Sequence, residues 1–184
     1  MMHLLLVILC FLIDEALIVL FPNSYLLNNL LFIPNLGFIT MILTVRKFDL
    51  TNTCLFAFAC GMIYDFCFAN TYLLYAIVFT VVACLMHLWT KHMTETFIES
   101  LILSIVTIFV KDFLVYCYMS FQKTTYMSLM VWAEQYELLT LLANAVLVMI
   151  IVFLIRIKDD YLERKARRIR KGEKIEWFNL KSKS

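Results

Sequence analysis

Glycine and proline are scarce in this chain, three and two in 184 residues. So few glycines all but exclude backbone cradles for phosphate and the discontinuous glycine-rich helices of ion carriers. Charged residues make up only 16%, and no G-x-S-x-G or glycine-rich phosphate loop occurs. The three histidines, His3, His87 and His92, are too scattered for a zinc site. Cys10, Cys54, Cys60, Cys67, Cys84 and Cys117 form no C-x-x-C pair and all lie in apolar runs, so they read as small hydrophobes. These absences argue against an enzyme and against any bound cofactor or metal.

What the chain does have is apolar surface. It is 63% hydrophobic with a mean hydropathy of +0.85, against roughly 45–50% apolar for ordinary soluble domains. Crossing about 30 Å of hydrocarbon takes about 20 residues per helix, so the chain has room for six spans and no soluble lobe. Apolar runs cover about 3–21, 26–45, 51–69, 71–89, 97–119 and 136–157. Pro22-Asn23-Ser24 breaks the first, Arg46, Lys47 and Asp49 close the second, and Asn70-Thr71 links the third tightly to the fourth. The first run has no basic lead and no small-residue cleavage pattern, so it reads as a span and not a leader. The expected fold is an all-α membrane bundle of six helices over 1–157, followed by a basic tail over 158–184.

Net charge supports a direction for that bundle. Residues 1–157 carry six Lys/Arg against nine Asp/Glu, while residues 158–184 carry ten against five. With both termini inside, fourteen of the sixteen Lys/Arg lie on the cytoplasmic side, leaving Lys111 within a span and Lys123 outside. The expected topology is N-in, C-in.

Ionisable groups within spans are costly unless paired or hydrated, and each is a functional candidate. Here they are Asp14, Glu15, Asp65, Lys111 and Asp112. One lysine among several carboxylates points to an ion-pair cluster facing the bundle interior, with Asp65 or Asp14 as the partner of Lys111. Successive helical residues are about 100° apart, which argues against Lys111 and Asp112 pointing the same way. An internal pair that sets helix register is the plainest reading; contact with a partner's transmembrane helix and proton or ion coupling are the others. Pro34 is expected to kink the second helix near its middle, with Asn35 satisfying a freed carbonyl. Gly61, four residues before Asp65 and on the same face, suits a close helix approach, and Asn144 an interhelical hydrogen bond.

Two peripheral segments have paired readings. In the outer loop 121–135, Tyr126, Met127, Met130 and Trp132 suit the aromatic belt of the membrane interface or a docking ledge for an extracellular partner. Over 159–171 the sixth helix could continue, ending near Gly172 as a C-cap. Its Arg164, Lys165, Arg167, Arg168, Arg170 and Lys171 serve positive-inside topology, anionic lipid at about 1 kcal/mol per charge, or a cytoplasmic filament. Nucleic acid is an unsuitable partner for so short a tethered tail.

Ile33-Pro34-Asn35-Leu36 leading to Val45-Arg46-Lys47, then Gly61-Met62-Ile63-Tyr64-Asp65, then Asp112 and Asn144, form an ordered set. In that order the chain resembles the MreD family, the membrane subunit of the bacterial rod-shape machinery. The resemblance covers about residues 3–157, with its core at 33–90. Asn35 stands where the family has an acid, the glycines expected after Asp65 are absent, and the tail is longer. The resemblance implies a six-span, non-enzymatic scaffold of the bacterial plasma membrane that associates with MreC. In the same assembly it implies MreB filaments, RodA and a class B penicillin-binding protein, and a role in positioning peptidoglycan synthesis. The alternative is the substrate-binding membrane subunit of an energy-coupling-factor transporter, against which the first span offers only one alanine, Ala16, for a small-residue docking face. Copurification with a small solute would distinguish the two.

Overall fold

The computed structural model describes residues 2–20, 33–69, 71–90 and 96–181. All regular structure among them is helical: α1 (Met2–Leu20), α2 (Leu36–Val45), α3 (Leu50–Tyr64), α4 (Leu74–Thr90), α5 (Phe97–Phe121), α6 (Leu129–Trp132) and α7 (Leu138–Lys181). Two wide π turns extend this set, Asp65–Ala69 running on from α3 and Ala133–Glu137 joining α6 to α7. Three stretches are long and apolar enough to cross a membrane, Leu50–Ala69, Phe97–Phe121 and Leu129–Lys165. Leu36–Val45 and Leu74–Thr90 are shorter apolar helices.

The chain divides into two units, Met1–Ile151 and Val152–Ser184. Within the first, α2 is the centre. All ten of its residues are buried, and it meets α1, α3, α4 and α5. Rings from three helices gather on it, with Phe38 of α2 4.9 Å from Phe79 of α4 and Phe79 6.4 Å from Phe11 of α1.

The second apolar run is not one kinked helix through Pro34. Residues 33–35 are non-helical and α2 begins at Leu36; the part of the run over 26–32 lies outside the described residues. Proline has no N–H to give and disfavours helix at the residue before it, so it suits the non-helical residues just ahead of the α2 start. Ten residues rise about 15 Å, half of a hydrocarbon core. The amides that a helix start leaves unbonded therefore need partners inside the bundle.

Helix α5 opens differently, with its own sequence as cap. Thr96 accepts from the Glu99 amide at 3.3 Å while Glu99 accepts from the Thr96 amide at 3.4 Å, a reciprocal capping box. In the turn after α5, Lys123 takes the left-handed conformation at φ 56°.

Helices α3 and α4 form the tightest hairpin, and Gly61 permits it. A Cβ on Gly61 would stand 2.4 Å from the Ala76 Cα and 2.7 Å from the Tyr75 carbonyl oxygen. Both are backbone atoms and cannot swing aside, so Gly61→Ala is expected to cost about 2–3 kcal/mol, toward the upper end for overpacking. Unfolding of the purified protein in mild detergent reads that loss, and an unchanged midpoint would contradict the packing.

In the second unit the helix runs through Gly172 to Lys181, so Gly172 is not the C-cap expected from sequence. One glycine costs about 1 kcal/mol relative to alanine in a helix interior, too little to end a helix whose neighbours are strong helix formers. Glu163 and Arg167 pair across one turn at 2.6 Å, both exposed; Arg164, Lys165 and Arg168 are exposed as well. The side chains of Arg170 and Lys171 lie outside the described set.

Candidate functional site

The non-helical stretch at 33–35 gathers Asp14, Asn35, Lys111 and Asn144. Asp14, on α1, accepts hydrogen bonds from the Leu36 and Gly37 amides at 2.8 Å each. Its carboxylate caps the start of α2, where two amides and the helix dipole favour negative charge. From α7, Asn144 accepts from the Asn35 amide at 2.9 Å and donates to the Ile33 and Thr140 carbonyls at 2.7 and 2.8 Å. Asn35 itself donates from its side chain to the Ile33 carbonyl at 3.1 Å. The break is closed by side chains from two other helices. Close approach of α1 is assisted by Gly37, whose missing Cβ would collide with the Phe11 ring at 1.9 Å.

Asp65 does the same for α4. It lies in the π turn after α3, is 1% exposed, and accepts from the Tyr75 and Ala76 amides at 3.1 and 2.8 Å and from the Thr71 hydroxyl. The link it braces includes Leu73 in the left-handed conformation at φ 56°. That conformation is unusual for a branched side chain. Gly61 and Asp65 thus act at one place, the glycine admitting the α4 backbone and the aspartate bonding it.

Lys111 does not pair with Asp14 or Asp65. Its ammonium lies 2.8 Å from Asp112 Oδ1, donates to the Asn35 side-chain oxygen, and stands 5.5 Å from the centroid of the Phe38 ring. The 100° between neighbouring residues separates their Cβ directions, yet lysine's four-carbon stem is long enough to bend back to the short carboxylate beside it. Asp14 and Asp65 are instead compensated by backbone amides. Glu15 is half-buried and makes no ion pair among the described residues.

Beside the Lys111–Asp112 pair opens a pocket of about 380 Å³. Its polar wall is Lys111, Asp112 and Glu137; aromatic walls come from Tyr64 and Tyr75 on the α3–α4 side and from Tyr116, Trp132 and Tyr136 on the other. Tyr116 and Trp132 stack with centroids 4.9 Å apart, and the Tyr116 hydroxyl donates to the Met127 carbonyl at 2.9 Å, tying the loop after α5 to the pocket wall. Two carboxylate oxygens here, Asp112 Oδ2 and Glu137 Oε1, are buried with no hydrogen-bond partner.

The expected outer ledge is divided by this geometry. Met127 and Trp132 line the pocket, while Tyr126 and Met130 are 90% and 74% exposed. The segment expected as a loop to residue 135 is helical from Leu129.

Glu137 is the residue sequence reasoning missed. It falls at the edge of the sixth apolar run, where a carboxylate is ordinary, yet it is 3% exposed. The available signal was the company of Trp132 and Tyr136. Among the described residues no group of three or more His, Cys, Asp or Glu is placed to hold a metal ion. Comparison with known protein families, with characterised proteins and with solved structures finds no match for this chain.

Proposed function

We propose that this chain is a six-span membrane scaffold with both termini cytoplasmic, acting without catalysis in the bacterial cell-elongation machinery as an MreD-like partner of MreC. The observation that carries this reading is the use made of Asp14, Asn35, Asp65 and Asn144. Each is buried and bonded to backbone at a helix start or in the non-helical residues just before one, so these polar groups support a fixed bundle more than a solute path. Asn35, Asp65 and Asn144 are also among the positions on which the family resemblance rests. A rigid bundle with an exposed apolar rim, such as Tyr126 and Met130, suits a protein that holds others in place. MreB, RodA and a class B penicillin-binding protein follow as members of the same assembly, and anionic lipid as a neighbour of the basic tail.

The second reading, a solute-binding transporter subunit, is favoured by one specific observation, the pocket beside Lys111. Affinity purification of the tagged protein in mild detergent, followed by mass spectrometry, separates the two. Recovery of MreC with elongation synthases is the expected result. Recovery of an ATPase pair with a bound vitamin or metal ion would overturn the scaffold and promote the transporter.

A further inference from the structure

The pocket holds an asymmetry of donors and acceptors. Its one cation is already committed, since Lys111 meets Asp112, Asn35 and the Phe38 ring. Its acids are not. Asp112 uses one oxygen on Lys111 and leaves Oδ2 buried without a partner, and Glu137, 97% buried by its 3% exposure, leaves Oε1 in the same state. A buried carboxylate oxygen without a donor is costly, and more so within a membrane. The group that completes this site must therefore donate hydrogen bonds, and it is best positively charged, since one lysine faces two carboxylates.

The walls choose among cations. A divalent metal needs several oxygen ligands in a compact shell, and here two carboxylates share the site with an ammonium. Aromatic faces, by contrast, attract organic cations through the ring quadrupole, and Tyr64, Tyr75, Tyr116 and Trp132 supply them. About 380 Å³ is also far more than an ion requires and falls in the range of small-molecule sites, about 300–1,000 Å³.

We propose that this pocket binds the ammonium group of an organic amine, with Glu137 and Asp112 Oδ2 accepting its N–H groups and Tyr116 and Trp132 stacked as its aromatic wall. The ammonium can belong to a free amine or to an aminophospholipid headgroup, which carry the same chemistry. The site does not depend on the scaffold reading, because it is complete in one chain and can be tested without partners.

The test uses the full chain, purified in dodecyl maltoside and stripped of lipid, with thermal unfolding and Trp fluorescence as readouts. Ethanolamine hydrochloride and a short-chain phosphatidylethanolamine are the probes; short-chain phosphatidylglycerol, sodium chloride and magnesium chloride are the controls. At least one amine probe is expected to raise the melting temperature saturably while the controls do not. A response to ethanolamine itself assigns a free amine, and a response to the lipid alone assigns the headgroup. Glu137→Gln should weaken binding tenfold or more without lowering the stability of the unliganded protein. Trp132→Leu, which leaves both acids in place, should weaken it by roughly three- to tenfold. No response to either amine, an equal response to phosphatidylglycerol or to either salt, or parental affinity in both variants would overturn the site.

Discussion

Lys111→Met should destabilise the protein by about 3–5 kcal/mol, the usual consequence of removing one member of a buried ion pair. The substitution leaves Asp112, whose Oδ2 has no partner already, without its counter-charge. It also strips Asn35 of the ammonium that its side-chain oxygen accepts from. The cost arises from stranding a charge and not from losing a strong attraction. Lys111→Met combined with Asp112→Leu should therefore recover most of the loss, because an apolar pair of similar volume commonly replaces a buried ion pair at little cost. Unfolding of the two single variants and the double variant in mixed detergent measures the coupling. A Lys111→Met protein as stable as its parent would show that Asp112 carries no charge in the folded chain.

Asp14→Ala should be nearly as damaging, by a different route. It orphans the Leu36 and Gly37 amides, both bonded at 2.8 Å, at a helix start inside the bundle. An unsatisfied buried donor costs about 1–3 kcal/mol, so the pair sets an expected loss of about 2–6 kcal/mol by the same rule. Asp14→Asn keeps one acceptor oxygen and loses the charge that faces the helix dipole, so it should fall between the parent and Asp14→Ala. If Asp14 acted chiefly as an ion partner of Lys111, Asn would be as damaging as Ala. The ranking of the two variants in one unfolding series decides between cap and ion pair.

These two expectations describe one construction. A membrane interior gives no water to helix ends, so a helix that starts there needs side chains to take its unbonded amides. Here Asp14 and Asn144 close the start of α2, and Asp65 closes the start of α4. Three helical segments contribute one polar group each, and none of these groups is among the residues lining the pocket beside Lys111. Asp112 and Glu137, by contrast, each keep a buried oxygen with no hydrogen-bond partner among the described residues, and both line the pocket.

Much of this architecture was legible beforehand. Composition alone pointed to apolar helices of membrane length, and three stretches among the described residues are long and apolar enough to cross a membrane. Helix ends near Leu20, Val45, Thr90 and Phe121 follow from where the apolar runs stop. That Asp14, Asp65, Lys111 and Asn144 stand out was also readable, because each is anomalous by residue type in its surroundings. What each one does was not. Pro34 read as a kink because the apolar pattern continues past it; the structure starts a helix there, because side chains from α1 and α7 arrive to take the freed backbone groups.

The partner of Lys111 was misread for a related reason. Angular spacing along a helix states where a side chain leaves the backbone and says nothing of where a four-carbon stem ends. Glu137 escaped notice because burial is a property of the neighbours, and Tyr116, Trp132 and Tyr136 share a pocket with it only once α5 and the π turn at Ala133–Glu137 are packed. Sequence by itself determined that this chain is helical and apolar and which residues are anomalous in such a setting. Only the tertiary structure decided which backbone amide, cation or empty space each of those residues faces. Hydrophobicity is summed locally along the chain, whereas compensation of a buried charge depends on atoms brought together from distant segments.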